Sequence, residues 1–150
     1  MIAKGTIIEE IIATDTIIDD TFLNKGSKIN ILRSLMEKKH TETGQLHYRL
    51  CLGINFRVAL TTNICVKDGL VNGSLGVLKM FTKTSSGRLH MIWIEFDDKS
   101  VGTEIRKYFK GLYQRVPNVK KTWIPIMAVS KQFESGMRGK KKHLSSGEPI

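Results

Sequence analysis

The chain has 150 residues, 41% of them hydrophobic and 25% charged, so one globular domain is the default expectation. Lys and Arg number 24 against 14 acids, and the net of +10 is uneven: 13 basic and 11 acidic residues in 1–100, but 11 basic and 3 acidic in 101–150. A basic balance of this kind suits a polyanionic partner as readily as it suits a solubilising tail. No apolar run approaches the ~20 residues of a membrane span. The N-terminal MIAKGTIIEE lacks a basic region followed by an apolar core, so it does not read as a secretory signal. An intracellular location without a membrane partner is the expectation.

In chain order, TIIEEII at 6–12 has strand propensity, and TDTIIDD at 14–20 continues it. In SKINILRSLMEKK (27–39), Ile29, Leu32 and Met36 fall at helical spacing behind a possible Ser27 cap. From residue 46 the pattern is strand after strand: LHYRLCLGI, FRVALTTNI, SLGVLKMFT, RLHMIWIEF and TWIPIMAVSKQF, the last containing Pro125, which argues for an edge. Between the last two, Val101, Ile105, Phe109 and Leu112 recur at helical intervals. The stretch from Gly136, basic and rich in Gly and Ser, reads as a loop that ends abruptly. These signals divide the chain into a lead-in segment at 1–45, a small antiparallel β-barrel or sandwich at 46–133 and a basic loop at 134–150.

Cys51 and Cys65 lie in apolar runs without C-x-x-C spacing and read as buried reduced thiols. His40, His47, His90 and His143 are scattered and form no ligand set, so no metal site is indicated.

Asp68 to Gly76, DGLVNGSLG, has three glycines in nine residues. A phosphate-binding loop needs G-x-x-x-x-G-K-[ST] between a strand and a helix. Here Ser74 follows Gly73, and the next residues favour strand. The stretch reads instead as turns: Asp68-Gly69 first, then Asn72-Gly73 as a primed hairpin turn with both residues at positive φ. Gly76 marks a bulge or a close backbone approach.

The run RVALTTNICVKDGLVNGSLGVL, followed by WIEFDD, a Val-Gly step and WIPI, resembles the Pif-type DNA helicases, the petite-integration-frequency family with its Helitron-associated relatives. The matching positions are Val58, Leu60, Asn63, Asp68, Gly69, Leu70, Val71, Asn72, Gly73, Gly76, Val77, Phe96, Asp97 and Asp98, within a region from about 46 to 127. The resemblance implies a Src-homology-3-like barrel with one or two short helices, inserted in the second RecA-like domain of a superfamily 1 helicase beside the single-stranded DNA track. It implies a parent enzyme that couples ATP hydrolysis with Mg²⁺ to 5′-to-3′ unwinding, in settings such as DNA repair, recombination and telomere maintenance. A eukaryotic parent would act in the nucleus or mitochondrion.

The family's ATP loop has no counterpart here, and the chain stops at GEPI near a later family step. The chain alone is therefore expected to be an inactive helicase fragment, with ATP and Mg²⁺ implied only for the full-length protein and the missing RecA-like domains as partners. The family usually has Gly two residues before the Arg-Val pair, where this chain has Asn55, and Ala59 replaces a common Met. A standalone β-barrel module binding nucleic acid or protein is the alternative from a different class.

Asp97-Asp98 reads as a strand-end turn more readily than as a metal pair, because adjacent strand residues face opposite ways. Ser85, Ser86, His90 and Asp97 lack a nucleophile elbow and so carry no catalytic triad. Trp93, Phe56, Tyr48 and Phe81 read mainly as core, with base stacking the minor possibility. The expected phosphate contacts, weak and sequence-independent on single-stranded DNA, are Arg57, Lys67, Lys79, Arg138, Lys140, Lys141 and Lys142.

Overall fold

The computed structural model describes residues 6–12, 14–17, 24–37, 47–135 and 142–149. The chain divides into two compact units, one made of Met1–Glu9, Leu52–Met127 and Pro149–Ile150, the other of Glu10–Cys51 and Ala128–Glu148. The architecture is mainly β, with antiparallel pairing and a few short helices.

In the first unit the strand order is β4 (Arg57–Ala59), β5 (Leu75–Lys83), β6 (Leu89–Phe96) and β7 (Ile124–Ser135), the last belonging here only as far as Met127. β5 and β6 form the hairpin at its centre, joined through Thr84–Arg88, where Thr84 N–H donates to Arg88 O at 2.8 Å. Met91, Ile92, Trp93 and Ile94 are all buried in β6, so that strand is covered on both faces and its sequence runs apolar without alternation. Leu70, Leu78, Ile124 and Ile126 complete the same core, each such side chain stabilising by about 1.5–3 kcal/mol relative to exposure. The β5–β6 register shifts between Leu78 and Met80. The bulge falls there and not at Gly76. Gly76 is instead the close approach: a Cβ on it would meet Ile94 Cγ2 at 2.6 Å and Glu95 O at 2.7 Å.

After β6 come α2 (Thr103–Tyr108) and α3 (Lys110–Arg115). The apolar spacing over 101–112 predicted one helix; the chain makes two, broken at Phe109. The packing of α3 is fixed by Tyr113, whose ring meets Trp93 edge-on at 5.3 Å and whose hydroxyl donates to Trp123 O. Trp93 itself is fully buried, as expected, and its indole N–H donates to Thr82 Oγ1 at 2.8 Å. Buried aromatic N–H and O–H groups find partners of this kind.

In the second unit β2 (Thr14–Ile17) pairs antiparallel with β8 (Lys142–Pro149), and β8 borders β7. β1 (Ile8–Ile12) and β3 (Arg49–Gly53) form a two-stranded sheet. α1 spans Lys25–Leu35 and is capped by Asn24, whose Oδ1 accepts the Ser27 N–H at 2.8 Å. The cap thus lies three residues earlier than Ser27, because Asn24 and not Ser27 has the extended backbone a cap needs.

Several expectations are corrected. The strands do not close into a barrel among the described residues: β4 has only three residues and borders β5 alone. Residues 142–149 are strand and not loop, because β2 supplies the pairing that their own sequence pattern does not announce. Pro125 sits near the start of β7, opposite Trp93 of β6, where a missing N–H is tolerated. Both cysteines are free, but Cys51 is exposed and Cys65 only half-buried. The burial of Leu52 leaves its neighbour Cys51 on the opposite face of β3. Among the described residues no helix is long and apolar enough to cross a membrane.

Candidate nucleic-acid interface

The residues of the glycine-rich motif hold one another. Val66–Asp68 is a single 3₁₀ turn ending on Gly69 at φ +74°. Leu70, fully buried, exchanges backbone hydrogen bonds with Cys65 at 3.0 Å in each direction. Asn63 Oδ1 accepts the Asn72 N–H at 2.8 Å. Ser74 N–H donates to Val71 O at 3.0 Å, closing the turn around Asn72 and Gly73.

Gly73 has φ +89°, whereas Asn72 is not among the residues at positive φ. One positive φ, at the third position, is the signature of a type II turn. The primed turn expected from Asn-Gly is therefore corrected, and its flanks are not a hairpin: Leu70 bridges Cys65, while β5 pairs with β4. The chain bends here between two non-adjacent partners, and a primed twist is not required.

Asp68 is the buried acid of this unit, 7% exposed. Its two carboxylate oxygens accept the N–H groups of Glu104 and Ile105, each at 2.9 Å. Its own carbonyl accepts the Gly102 N–H at 2.9 Å. Asp68 therefore caps α2 from 36 residues away, a role beyond that of the turn residue expected from the sequence.

Beside the motif turn lies a hollow of about 490 Å³ whose charged lining residues are Asp97 and Asp98, with no Lys or Arg. Asp97 is gripped by the Arg57 guanidinium at 2.7 and 2.6 Å. That hydrogen-bonded fork holds the Asp97 carboxyl below its usual range and pushes Arg57 up. Asp98 accepts from Ser100 Oγ at 2.7 Å and Ser100 N–H at 2.9 Å, which lowers it too. Two engaged carboxylates and no cation are the wrong donor set for a triphosphate, so these residues do not fit ATP. The triad is not assembled either: Ser86 Oγ pairs with Thr84 Oγ1, and Asp97 pairs with Arg57.

The expected phosphate contacts divide into three groups. Arg57 is bound to Asp97, and Lys79 reaches Glu95 at 3.4 Å. Burial pushes Glu95 up, but Lys79 and Lys99 outweigh it and bring the carboxyl below its usual value. Lys67 is exposed in the 3₁₀ turn and has no carboxylate partner among the described residues. Arg138, Lys140 and Lys141 lie outside the described residues, and Lys142 opens β8. Tyr48, Phe56 and Phe81 are half-buried; the fully outward aromatic is Tyr108, 83% exposed.

A cationic site that the sequence reading missed lies on the α2–α3 side. A second hollow, of about 530 Å³, is lined by Arg106, Lys107, Lys110 and Lys121 together with Thr103, Tyr113, Gln114 and Val119. Arg106 is held by neutral acceptors, Val101 O at 3.1 Å and Thr103 Oγ1 at 3.3 Å, so its charge is oriented without being neutralised. Lys107 pairs with Glu104 at 2.7 Å, which raises it. Lys110 and Lys121 have no carboxylate partner among the described residues. The signal available in the sequence was the helical spacing of Arg106, Lys107 and Lys110, but nothing in it brings Lys121 to the same place. Burial of Tyr113 against this wall pushes its phenol up to about 12, with Arg106 pulling the other way.

No group of three or more metal-ligating side chains occurs among the described residues. No family model, no curated protein and no solved structure matches the chain.

Proposed function

We propose that the chain is the accessory β-domain of a Pif-type, ATP-dependent 5′-to-3′ DNA helicase, Src-homology-3-like in kind and lying along the single-stranded DNA path. The observation that carries this reading is Asn55. It stands where the resembled family has glycine, and its φ is +67°. That left-handed conformation is the one for which a glycine is ordinarily kept, and asparagine is the residue that replaces it at least cost. The departure from the family pattern in sequence is thus one that a backbone suited to glycine accommodates. The coherent bonding of Asn63, Asp68, Asn72 and Gly73 in one turn supports the same reading.

On this reading the chain contributes phosphate contacts and no ATP chemistry. ATP and Mg²⁺ would be held by other parts of the parent, and among the described residues Lys67 is an expected phosphate contact without a carboxylate partner. The test is a pair of measurements on the purified chain. Anisotropy of a labelled oligothymidylate at several salt concentrations should show weak, salt-dependent binding that favours single over double strands. Equilibrium dialysis against labelled ATP with Mg²⁺ should show no saturable uptake. Saturable ATP binding would overturn the reading, as would a failure to bind single strands at low salt. A full-length transcript without an in-frame G-x-x-x-x-G-K-[ST] upstream would favour a standalone module.

A further inference from the structure

We infer that the hollow between α2, α3 and the loop carrying Lys121 is a phosphate-binding site that takes the backbone of a single nucleic-acid strand. The inference rests on the helicase reading for the identity of the strand, but its geometry is independent of the resemblance, since none of the four cations belongs to the motif.

Four basic side chains line this hollow and no carboxylate does. Gathering like charges costs free energy unless a counter-charge is bound. Elsewhere in the same unit several cations have an acid within the protein: Arg57 has Asp97, Lys79 has Glu95 and Lys83 has Glu9. Here only Lys107 has an acid, Glu104, on the exposed side of α2. The remaining positive charge is left for a ligand.

Arg106 is the built element. A guanidinium has five N–H donors in a fixed plane. Val101 O and Thr103 Oγ1 orient that plane from one side and leave donors over. An oriented guanidinium flanked by flexible ammonium groups is the donor set that suits a phosphate: a planar fork for two oxygens and point charges for the rest. The volume of about 530 Å³ falls within the ~300–1,000 Å³ of ordinary ligand pockets, and it has room for more than one phosphate. Its wall is rigid, because Tyr113 is fixed by both Trp93 and Trp123. Contacts of this type position a strand without reading its sequence.

The experiment compares Lys110→Ala/Lys121→Ala with Lys25→Ala/Arg33→Ala, which removes the same charge from exposed positions of α1. Both are titrated with a labelled oligothymidylate over a range of salt, with inorganic pyrophosphate as competitor. Each lost phosphate contact on a single strand should flatten the log K against log salt slope by about 0.7. The pocket pair should therefore flatten it by about 1.4 and weaken low-salt binding at least tenfold, and the control pair should do less than half as much. Pyrophosphate should displace the strand from the wild type but lose potency against the pocket pair.

Equal flattening in both pairs would mean diffuse charge and would overturn the site. If the wild type binds no strand at low salt while pyrophosphate still binds and the pocket pair abolishes that binding, then the strand assignment and the helicase reading fall together. Strand binding that survives the pocket substitutions unchanged overturns the site alone. Lys110→Gln/Lys121→Gln, which keeps side-chain length, repeats the test if the alanine pair fails to fold.

Discussion

Two hollows of similar size lie in the same unit and have opposite chemistry. The one beside the Asn72-Gly73 turn, about 490 Å³, has two carboxylates and no cation. The one beside α2 and α3, about 530 Å³, has four cations and no carboxylate. The first is where the motif is, and its polar groups are already engaged: Asp68 with α2, Asn63 with Asn72, Asp97 with Arg57. The second has no motif, and of its four cations Lys107 alone is paired with an acid among the described residues. The residues that carry a family resemblance thus serve folding, and the residues free to meet a ligand lie elsewhere. The proposed helicase kinship and the proposed binding site therefore rest on different residues, and each can be tested without the other.

The strongest way to break the comparison is at Asp68, which ties the motif turn to α2. Asp68→Ala leaves two helix N–H groups without their acceptor. Hydrogen bonds to a charged group contribute about 1.5–3 kcal/mol, so a loss of about 3 kcal/mol is expected, read as a lower urea midpoint. Asp68→Asn keeps one acceptor and should lose about half as much. If Asp68→Ala leaves the midpoint unchanged, α2 is not held by the motif turn.

Gly73→Val tests the turn itself. A Cβ at Gly73 would meet nothing within 4 Å, so no clash contributes and the effect is that of forcing a β-branched residue to φ +89°. The expected loss is about 2 kcal/mol. Asn72→Ala should change stability by less than about 0.5 kcal/mol, as at an ordinary surface position, because only its backbone N–H is used. A large effect of Asn72→Ala together with a small one of Gly73→Val would reinstate a different turn.

Much of this fold was legible. The runs 75–83 and 89–96 emerge from apolar content and β-branched residues alone, since β6 is the buried centre of the unit. Gly76 was legible as a bulge or a close approach, and the packing of Ile94 and Glu95 against it decides for the latter. What was not legible depends on partners distant in sequence. The capping role of Asp68 needs α2, and the ion pair of Arg57 needs Asp97, 40 residues on. β8 is a strand because β2 pairs with it. The cationic hollow needed Lys121 brought against α2 and α3, a consequence of the Tyr113 anchor that no local pattern announces.

On the cationic side, Tyr113 offers a pH readout. Its phenol ordinarily ionises near 10.0 and is raised to about 12 by burial. The folded state therefore holds a proton that the unfolded state releases as pH rises past 10. The stabilisation is complete below about pH 10 and is lost progressively up to about pH 12. Because the side chain is partly solvated, a loss of about 1–2 kcal/mol across that window is expected rather than the full value of the shift. Lysines titrate there too, so the quantity to measure is the difference from Tyr113→Phe. That variant should be about 1 kcal/mol less stable at neutral pH, through the lost bond to Trp123 O, and should decline less from pH 10 to 12. Parallel curves for the two proteins would show that the phenol is not buried against the wall.

The smallest expected effect bears most directly on the resemblance. At Asn55 the backbone sits at φ +67°, and Asn55 N–H donates to Leu78 O at 2.7 Å, so the conformation is fixed by pairing with β5. Asn55→Gly relieves the side chain of a left-handed strain and costs unfolded-state entropy; the two terms oppose one another. The net change should lie within about 0.5 kcal/mol of zero. Asn55→Val has no such escape, because a β-branched residue resists this region, and should lose about 1–2 kcal/mol. The contrast between the two variants is the informative quantity. Glycine tolerated and valine rejected would mean that position 55 requires the backbone and not the amide side chain, which is the condition under which glycine and asparagine exchange within one family. Urea midpoints of the three proteins decide it. Were Asn55→Gly to lose as much as Asn55→Val, the asparagine side chain would be doing something of its own, and the main support for the helicase reading would be gone.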